Sequence, residues 1–135
     1  MKANELMVGD WLKHANGKYY RVTRIDVLGD YNSIHYACGF PHLWEYNNKF
    51  EPIPLTPDIL KKNGFEVTRN ITSSGNKDVW SLRVSKNKVF HITEHHNKRQ
   101  FPYFWIELGS NSDIKYVHQL QHALGLCGIE KEIEL

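Results

Sequence analysis

Phe50-Glu51-Pro52-Ile53-Pro54-Leu55-Thr56-Pro57-Asp58 packs three prolines into six residues, and its reading divides the chain. A residue that precedes proline is kept out of the helical region, so this stretch runs extended. Thr56 then caps a helix, with Pro57 at the favoured first position and Asp58 at the positive end of the dipole. The seam predicts an α+β protein in two modules. Residues 1–55 are expected to form an SH3-like small β-barrel, and residues 56–135 a helix, a four-stranded antiparallel sheet and a C-terminal helix.

Toward the N-terminus the chain reads as short strands punctuated by glycine. Leu6-Met7-Val8-Gly9-Asp10-Trp11-Leu12 sets a Gly-Asp corner between apolar residues, and Asn16-Gly17 is a strong hairpin signal. In the return strand, Lys18 to Leu28, Tyr20 and Val22 alternate with Arg21 and Thr23. A slip before Ile25 marks a bulge. Ser33 to Cys38 and Leu43 to Tyr46 are two further strands. Several short strands in some 50 residues suggest a curled sheet or barrel.

Beyond the seam, the first helix is expected over Pro57 to Asn63, with Ile59 and Leu60 inward and a left-handed stop at Asn63-Gly64. Strands follow at Phe65–Asn70, Val79–Ser85, Val89–Glu94 and Phe101–Leu108. They are turned at Ser74-Gly75-Asn76, Lys86-Asn87 and His96-Asn97-Lys98, loops too short for parallel crossovers. A last helix is expected from Ser112 or Asp113 to about Leu124. Ile114, Val117, Leu120 and Leu124 share one arc of it, and His118 and His122 fall outside, toward solvent or a partner.

Composition narrows the function classes. The chain has 135 residues, 41% of them hydrophobic and 24% charged, which suits a packed soluble domain. No apolar run approaches the roughly 18 residues of a membrane span, and the first residues lead into no signal-peptide core, so a cytoplasmic location is expected. Cys38 and Cys127 stand far apart in no paired motif, against a disulfide framework or a cysteine-rich zinc site. Residues 61–99 carry nine Lys/Arg against three Asp/Glu, whereas residues 100–135 carry two against five. The basic middle could steer an anionic partner.

Three motifs carry a resemblance: Leu6-Met7-Val8-Gly9-Asp10-Trp11; Pro52-Ile53-Pro54-Leu55-Thr56 with Leu60 and Gly64-Phe65; and Tyr116-Val117-His118-Gln119-Leu120-Gln121. Together the chain resembles an uncharacterised family of short proteins encoded by gut bacteria and their phages. Where that family's pattern continues after Leu-Gln with Asn and an aromatic, this chain has His122-Ala123-Leu124-Gly125. The resemblance implies a phage or mobile-element setting and brings no activity or site residue.

The chemistry legible in the residues favours binding over catalysis. Neither a nucleophile elbow nor a Gly-rich phosphate loop occurs. Asp10, Asp26, Asp30, Glu45 and Glu51 read as turn or outward carboxylates. Positive charge on the meander comes from Arg83, Lys86, Lys88, Lys98 and Arg99, and Tyr103 or Trp105 offers a stacking face, as a nucleic acid or nucleotide-like ligand requires. Trp80 and Phe90 fit the inward period and are assigned to the core. The expected protein is therefore a non-catalytic binder of an anionic ligand, with no cofactor, acting in a contest between phage and host. Aromatics in the first half exceed what a barrel can bury. With the acidic tail they support an alternative, a protein-interaction module or inhibitor that binds a host protein. A third reading, a metal-dependent hydrolase, would use His91, His95, His118 and His122. It lacks a carboxylate between the helical histidines, where the sequence is Gln119-Leu120-Gln121.

Overall fold

The hairpin signal and the proline seam both act as their chemistry requires. In the computed structural model, which describes residues 5–28, 31–36, 43–72, 75–95, 103–107 and 111–135, Asn16-Gly17 joins β1 (Trp11–His14) to β2 (Tyr19–Leu28). Gly17 takes a positive φ of 85°, a conformation open to glycine at little steric cost. β2 pairs with β3 (Tyr31–Tyr36), and the register slips between Val22 and Arg24, the bulge its pattern predicts. β4 (Leu43–Tyr46) follows on β3, and after a 3₁₀ turn at Asn47–Lys49, β5 (Phe50–Pro52) returns to pair with β1.

These five strands form an antiparallel sheet of order β4-β3-β2-β1-β5. No ladder joins β4 to β5 among the described residues, so the sheet is open rather than a closed barrel. Its core is Leu6, Leu12, Tyr20, Val22, Ile34, Tyr36 and Phe50, with Ile25 packed against it. The rings of His14, Tyr20, Tyr36 and Phe50 meet there at centroid distances from 4.7 to 5.9 Å. Among the described residues, the aromatics Tyr19, Trp44 and Tyr46 are exposed.

The second half opens on α1 (Pro57–Lys62), where Thr56 Oγ1 accepts from the Ile59 amide at 3.3 Å. α1 ends at Asn63, and Gly64 adopts φ +81°, the left-handed stop read from the sequence. β6 (Glu66–Thr72), β7 (Gly75–Ser85), β8 (Lys88–His95) and β9 (Tyr103–Glu107) follow as an antiparallel meander.

Two expectations need correction. The sheet has five strands, since Asn111–Ile114 forms β10 against β9, with Ser112 opposite Ile106 and Asp113 opposite Trp105. Ser112 and Asp113 are therefore strand residues and not the N-cap of the last helix. The last helix, α2 (Val117–Leu126), starts later. Gln119 Oε1 accepts from the Tyr116 amide at 3.2 Å, the N3 half of a capping box, which fixes Tyr116 as N-cap. The second correction concerns His118, which is 2% exposed and stacks on Tyr116 at 5.7 Å. Val117, His118, Leu120, Ala123 and Leu124 are all buried. At about 100° per residue they span roughly 220° of the helix, far wider than an aliphatic stripe. His122 is half-buried.

By contacts the chain divides into two units, Met1–Pro54 with Tyr116–Gln121, and Leu55–Lys115 with His122–Leu135. In the first unit, residues from all three motifs of the resemblance meet. Val117 N–H donates to Ile53 O at 2.9 Å, and Pro54 bridges Tyr116. Gln121 Nε2 donates to Gly9 O, while its Oε1 accepts from the Trp11 amide, both at 3.1 Å. The quoted motif residues thus hold a fold together. The second unit has a parallel device. Asn63 donates to Glu134 O at 2.8 Å and accepts from its amide at 2.9 Å, and Lys62 Nζ donates to Leu135 O. Ile129 and Ile133 are buried, so the acidic end is strapped down as irregular chain.

Candidate functional site

Of the residues expected to hold an anion, Arg83, Lys86 and Lys88 are exposed at the β7–β8 turn. Lys88 is already used, donating to Cys127 O at 2.6 Å. Arg83 borders a depression of about 160 Å³ with Gly64, Glu66, Ser81 and Val89. Lys98 and Arg99 lie outside the described residues. Tyr103 and Trp105 occupy β9 at register positions opposite His95 and Thr93. β8 runs from Lys88 to His95, eight residues, about 23 Å at strand rise. The turn cations therefore stand one strand length from the register row of Tyr103. Trp80 and Phe90 are buried, as assigned.

The larger concavity lies elsewhere in the same unit and was not picked out from the sequence. A cleft of about 510 Å³ is lined by Pro57 and Lys61 of α1, Val67 and Arg69 of β6, Asp78 and Trp80 of β7 and Glu94 of β8. Strand register builds it. Arg69 pairs with Asp78 and Asp78 with Glu94, so three ionisable residues form a row across β6, β7 and β8. Val67 and Trp80 form the next row. Cross-strand partners share one face, with Cβ atoms about 5 Å apart.

Within this cleft the carboxylates form the floor and the cations the rim. Asp78 is 7% exposed and Glu94 2%. Burial of a carboxylate is tolerated only when donors face it. Trp80 Nε1 donates to Glu94 Oε2 at 2.7 Å, and Arg69 Nε stands 3.5 Å from Asp78 Oδ1. The Arg69 side chain is 74% exposed, so its hold on Asp78 is water-screened and a ligand can compete for it. Lys61, exposed in the last turn of α1, adds a second cation. Arg69, Asp78 and Glu94 meet here only through strand pairing, and α1 supplies Lys61; no local pattern in the sequence links the four.

The first unit sets two of its carboxylates, Glu45 and Asp26, in histidine pairs near the surface. Glu45 accepts from Tyr36 Oη at 3.1 Å and lies 3.1 Å from His14 Nε2. His14 Nδ1 in turn accepts from the Asn16 amide at 3.1 Å, so Nε2 carries the proton toward Glu45. The bond from His14, aided by Tyr36, holds the Glu45 carboxyl below its ordinary range. Asp26 accepts from Arg24 Nε at 2.7 Å and lies 2.8 Å from His35 Nε2. These bonds, led by that from Arg24, hold it low as well. Asp10, read as an outward turn residue, is buried and its Oδ2 caps the Met7 amide at 2.7 Å.

The histidines do not assemble into a metal centre among the described residues, where no three His, Cys, Asp or Glu gather to hold an ion. His91 accepts or donates a 2.8 Å bond with Ser81 Oγ on exposed sheet. No helix among the described residues is long and apolar enough to cross a membrane.

Fold and site together define an α+β protein of antiparallel sheets and two helices, with an amphoteric cleft beside α1. Compared with known protein families, with curated proteins and with solved structures, the chain matches none.

Proposed function

We propose that this chain is a non-catalytic binding protein whose cleft takes a small anionic, nucleotide-like molecule. The observation that carries the reading is one cleft with cations Lys61 and Arg69 at its rim and carboxylates Asp78 and Glu94 at its floor. A nucleotide offers the complement of both. Its phosphate answers the two cations, as charge-assisted bonds favour, and the amino and ring N–H groups of its base answer carboxylate acceptors. Pro57, Val67 and Trp80 supply apolar wall. The volume of about 510 Å³ falls within the roughly 300 to 1,000 Å³ of small-molecule sites. The resemblance to phage-borne proteins supplies a setting in which sequestering such a molecule needs no catalysis.

For the first unit we propose an SH3-like module. Four strands in a meander, a 3₁₀ turn at Asn47–Lys49 and a fifth strand returning to β1 support that reading.

Isothermal titration of the full chain at low salt tests the cleft. The titrants are nucleoside mono-, di- and cyclic phosphates, with inorganic phosphate and free nucleosides as controls. Nucleotides are expected to bind at least about tenfold tighter than either fragment, since both halves of the cleft contribute. Lys61→Glu and Arg69→Glu should each weaken binding about tenfold, while Arg83→Glu and Lys86→Glu leave it unchanged. Absence of nucleotide binding overturns the proposal. Loss on Arg83→Glu but not on Arg69→Glu moves the site to the β7–β8 turn and favours a nucleic-acid backbone.

A further inference from the structure

Among the described residues the sheet of the first unit ends at β4, a strand of four residues whose side chains are unusual for an edge. Edge strands are commonly guarded by lysine, proline, a bulge or brevity, because an exposed edge templates another strand. Leu43-Trp44-Glu45-Tyr46 contains neither lysine nor proline. Its ladder with β3 runs in regular register, Ser33 to Tyr46 through Tyr36 to Leu43. The only charged side chain, Glu45, is turned to His14 and Tyr36.

Register also sorts the side chains. Leu43 and Glu45 stand opposite Tyr36 and Ile34, both buried, on the core face. Trp44 and Tyr46 stand opposite His35 and Ser33 on the other face. Trp44 is 55% exposed and Tyr46 51%, their rings perpendicular at 5.9 Å. Large apolar exposure in a row along an edge marks an interaction surface.

We propose that β4 is a docking edge for an extended peptide of another protein, which adds as a sixth strand and carries a lysine or arginine beside Glu45, flanked by aromatic or β-branched residues over Trp44 and Tyr46. Strand addition gives affinity through main-chain bonds and specificity through alternate side chains. Charge selects the basic residue: the Glu45 side chain, 36% exposed, is the one carboxylate on the edge. A second copy of this chain is the poorer occupant. Antiparallel self-pairing keeps faces matched, so the register that sets Trp44 against Tyr46 of the other copy also sets Glu45 against Glu45, a repulsive pair. The alternative register, Trp44 against Trp44, leaves Tyr46 beyond the paired strand.

The test is selection of a displayed library of random twelve-residue peptides on the full chain, followed by binding of the enriched peptides in solution. Enriched sequences are expected to alternate, with Lys or Arg between aromatic or β-branched residues. Trp44→Lys should weaken them at least about tenfold, the guard that natural edges use. Tyr46→Lys should act likewise, and Arg69→Glu, in the other unit, should not. In the unsubstituted protein, peptide should slow amide exchange at residues 43–46. Peptides that bind Trp44→Lys and Tyr46→Lys as well as the parent, no enrichment over those variants, or unchanged exchange at 43–46 would each overturn the proposal. So would a concentration-dependent dimer that Trp44→Lys abolishes, since that assigns the edge to a second copy.

Discussion

The two sheets have the same strand count and the same antiparallel pairing, yet they handle carboxylates in opposite ways. In the first, Asp26 and Glu45 sit at 26% and 36% side-chain exposure, each beside a histidine. In the second, Asp78 and Glu94 are buried side by side on neighbouring strands beneath a cleft. Exposed pairs contribute little to stability because water already solvates both ions. Buried ones demand donors and leave a deficit when a donor is lost. The second sheet thus holds the buried carboxylates that the proposed cleft requires, and the first keeps its two histidine-paired carboxylates and its exposed Trp44 and Tyr46 near the surface.

The largest expected effect breaks that contrast at its deepest point. Trp80→Phe removes the indole N–H from Glu94 and trims a buried ring, and it should destabilise the protein by about 2 to 3 kcal/mol. Glu45→Gln, which weakens an exposed pair, should cost below about 1 kcal/mol. Urea unfolding at neutral pH measures both. Adding Glu94→Gln to Trp80→Phe should recover part of the loss, because a neutral amide suffers less without its donor. Equal losses for Trp80→Phe and Glu45→Gln would abolish the distinction between the sheets.

A smaller effect sharpens the comparison through two carboxamides. Asn63 is 4% exposed and grips the Glu134 backbone through both donor and acceptor, with a third bond to Ile59 O at 2.8 Å. Gln121, half-buried, grips Gly9 and Trp11 in the same manner. Asn63→Ala should cost about 2 kcal/mol and Gln121→Ala about 1 kcal/mol, the difference following from burial of the orphaned groups. Amide exchange at Glu134 and at Trp11 localises each loss. If Asn63→Ala leaves exchange at Glu134 unchanged, the strap on the acidic end does not depend on this side chain.

Local chemistry was legible in the residues, and long-range pairing was not. The Asn16-Gly17 hairpin, the bulge before Ile25, the Thr56 cap and the Asn63-Gly64 stop all depend on neighbours a few residues apart. Each appears where the sequence placed it. β10 was read as the start of a helix because Ile114 falls on the arc of Val117 and Leu120, and nothing within four residues reveals its partner β9. The same limit hid the cleft. Lys61, Arg69, Asp78 and Glu94 are spaced by 8, 9 and 16 residues, no period of a helix or strand; the ladder brings the last three together and α1 supplies the first. Gln121 reaches a backbone 110 residues away, so its side chain reads as one more polar residue at a helix edge.

The smallest expected effect is a pH dependence that separates the sheets by titration. Asp26 and Glu45 are held below the ordinary carboxylate range by bonds from Arg24 and His35, and from His14 and Tyr36. A carboxylate whose folded pKa is depressed binds protons less readily in the fold than in the unfolded chain. Its stabilisation is present above the unfolded value, near pH 4, and disappears as pH falls through the lower folded value. Urea midpoints should therefore hold from pH 7 to about pH 5 and decline below about pH 4. Glu45→Gln should flatten part of that decline without moving the neutral-pH midpoint by more than a fraction of its range. As Glu45 protonates, His14 and Tyr36 lose their charged acceptor, and β4 loses its side-chain tie to β1 and β3. Protection of amides 43–46 should then fall at a higher pH than protection of residues 78–82, at the centre of the second sheet. Simultaneous loss in both stretches, unaltered by Glu45→Gln, would mean that the histidine-paired carboxylates do not set the acid limit.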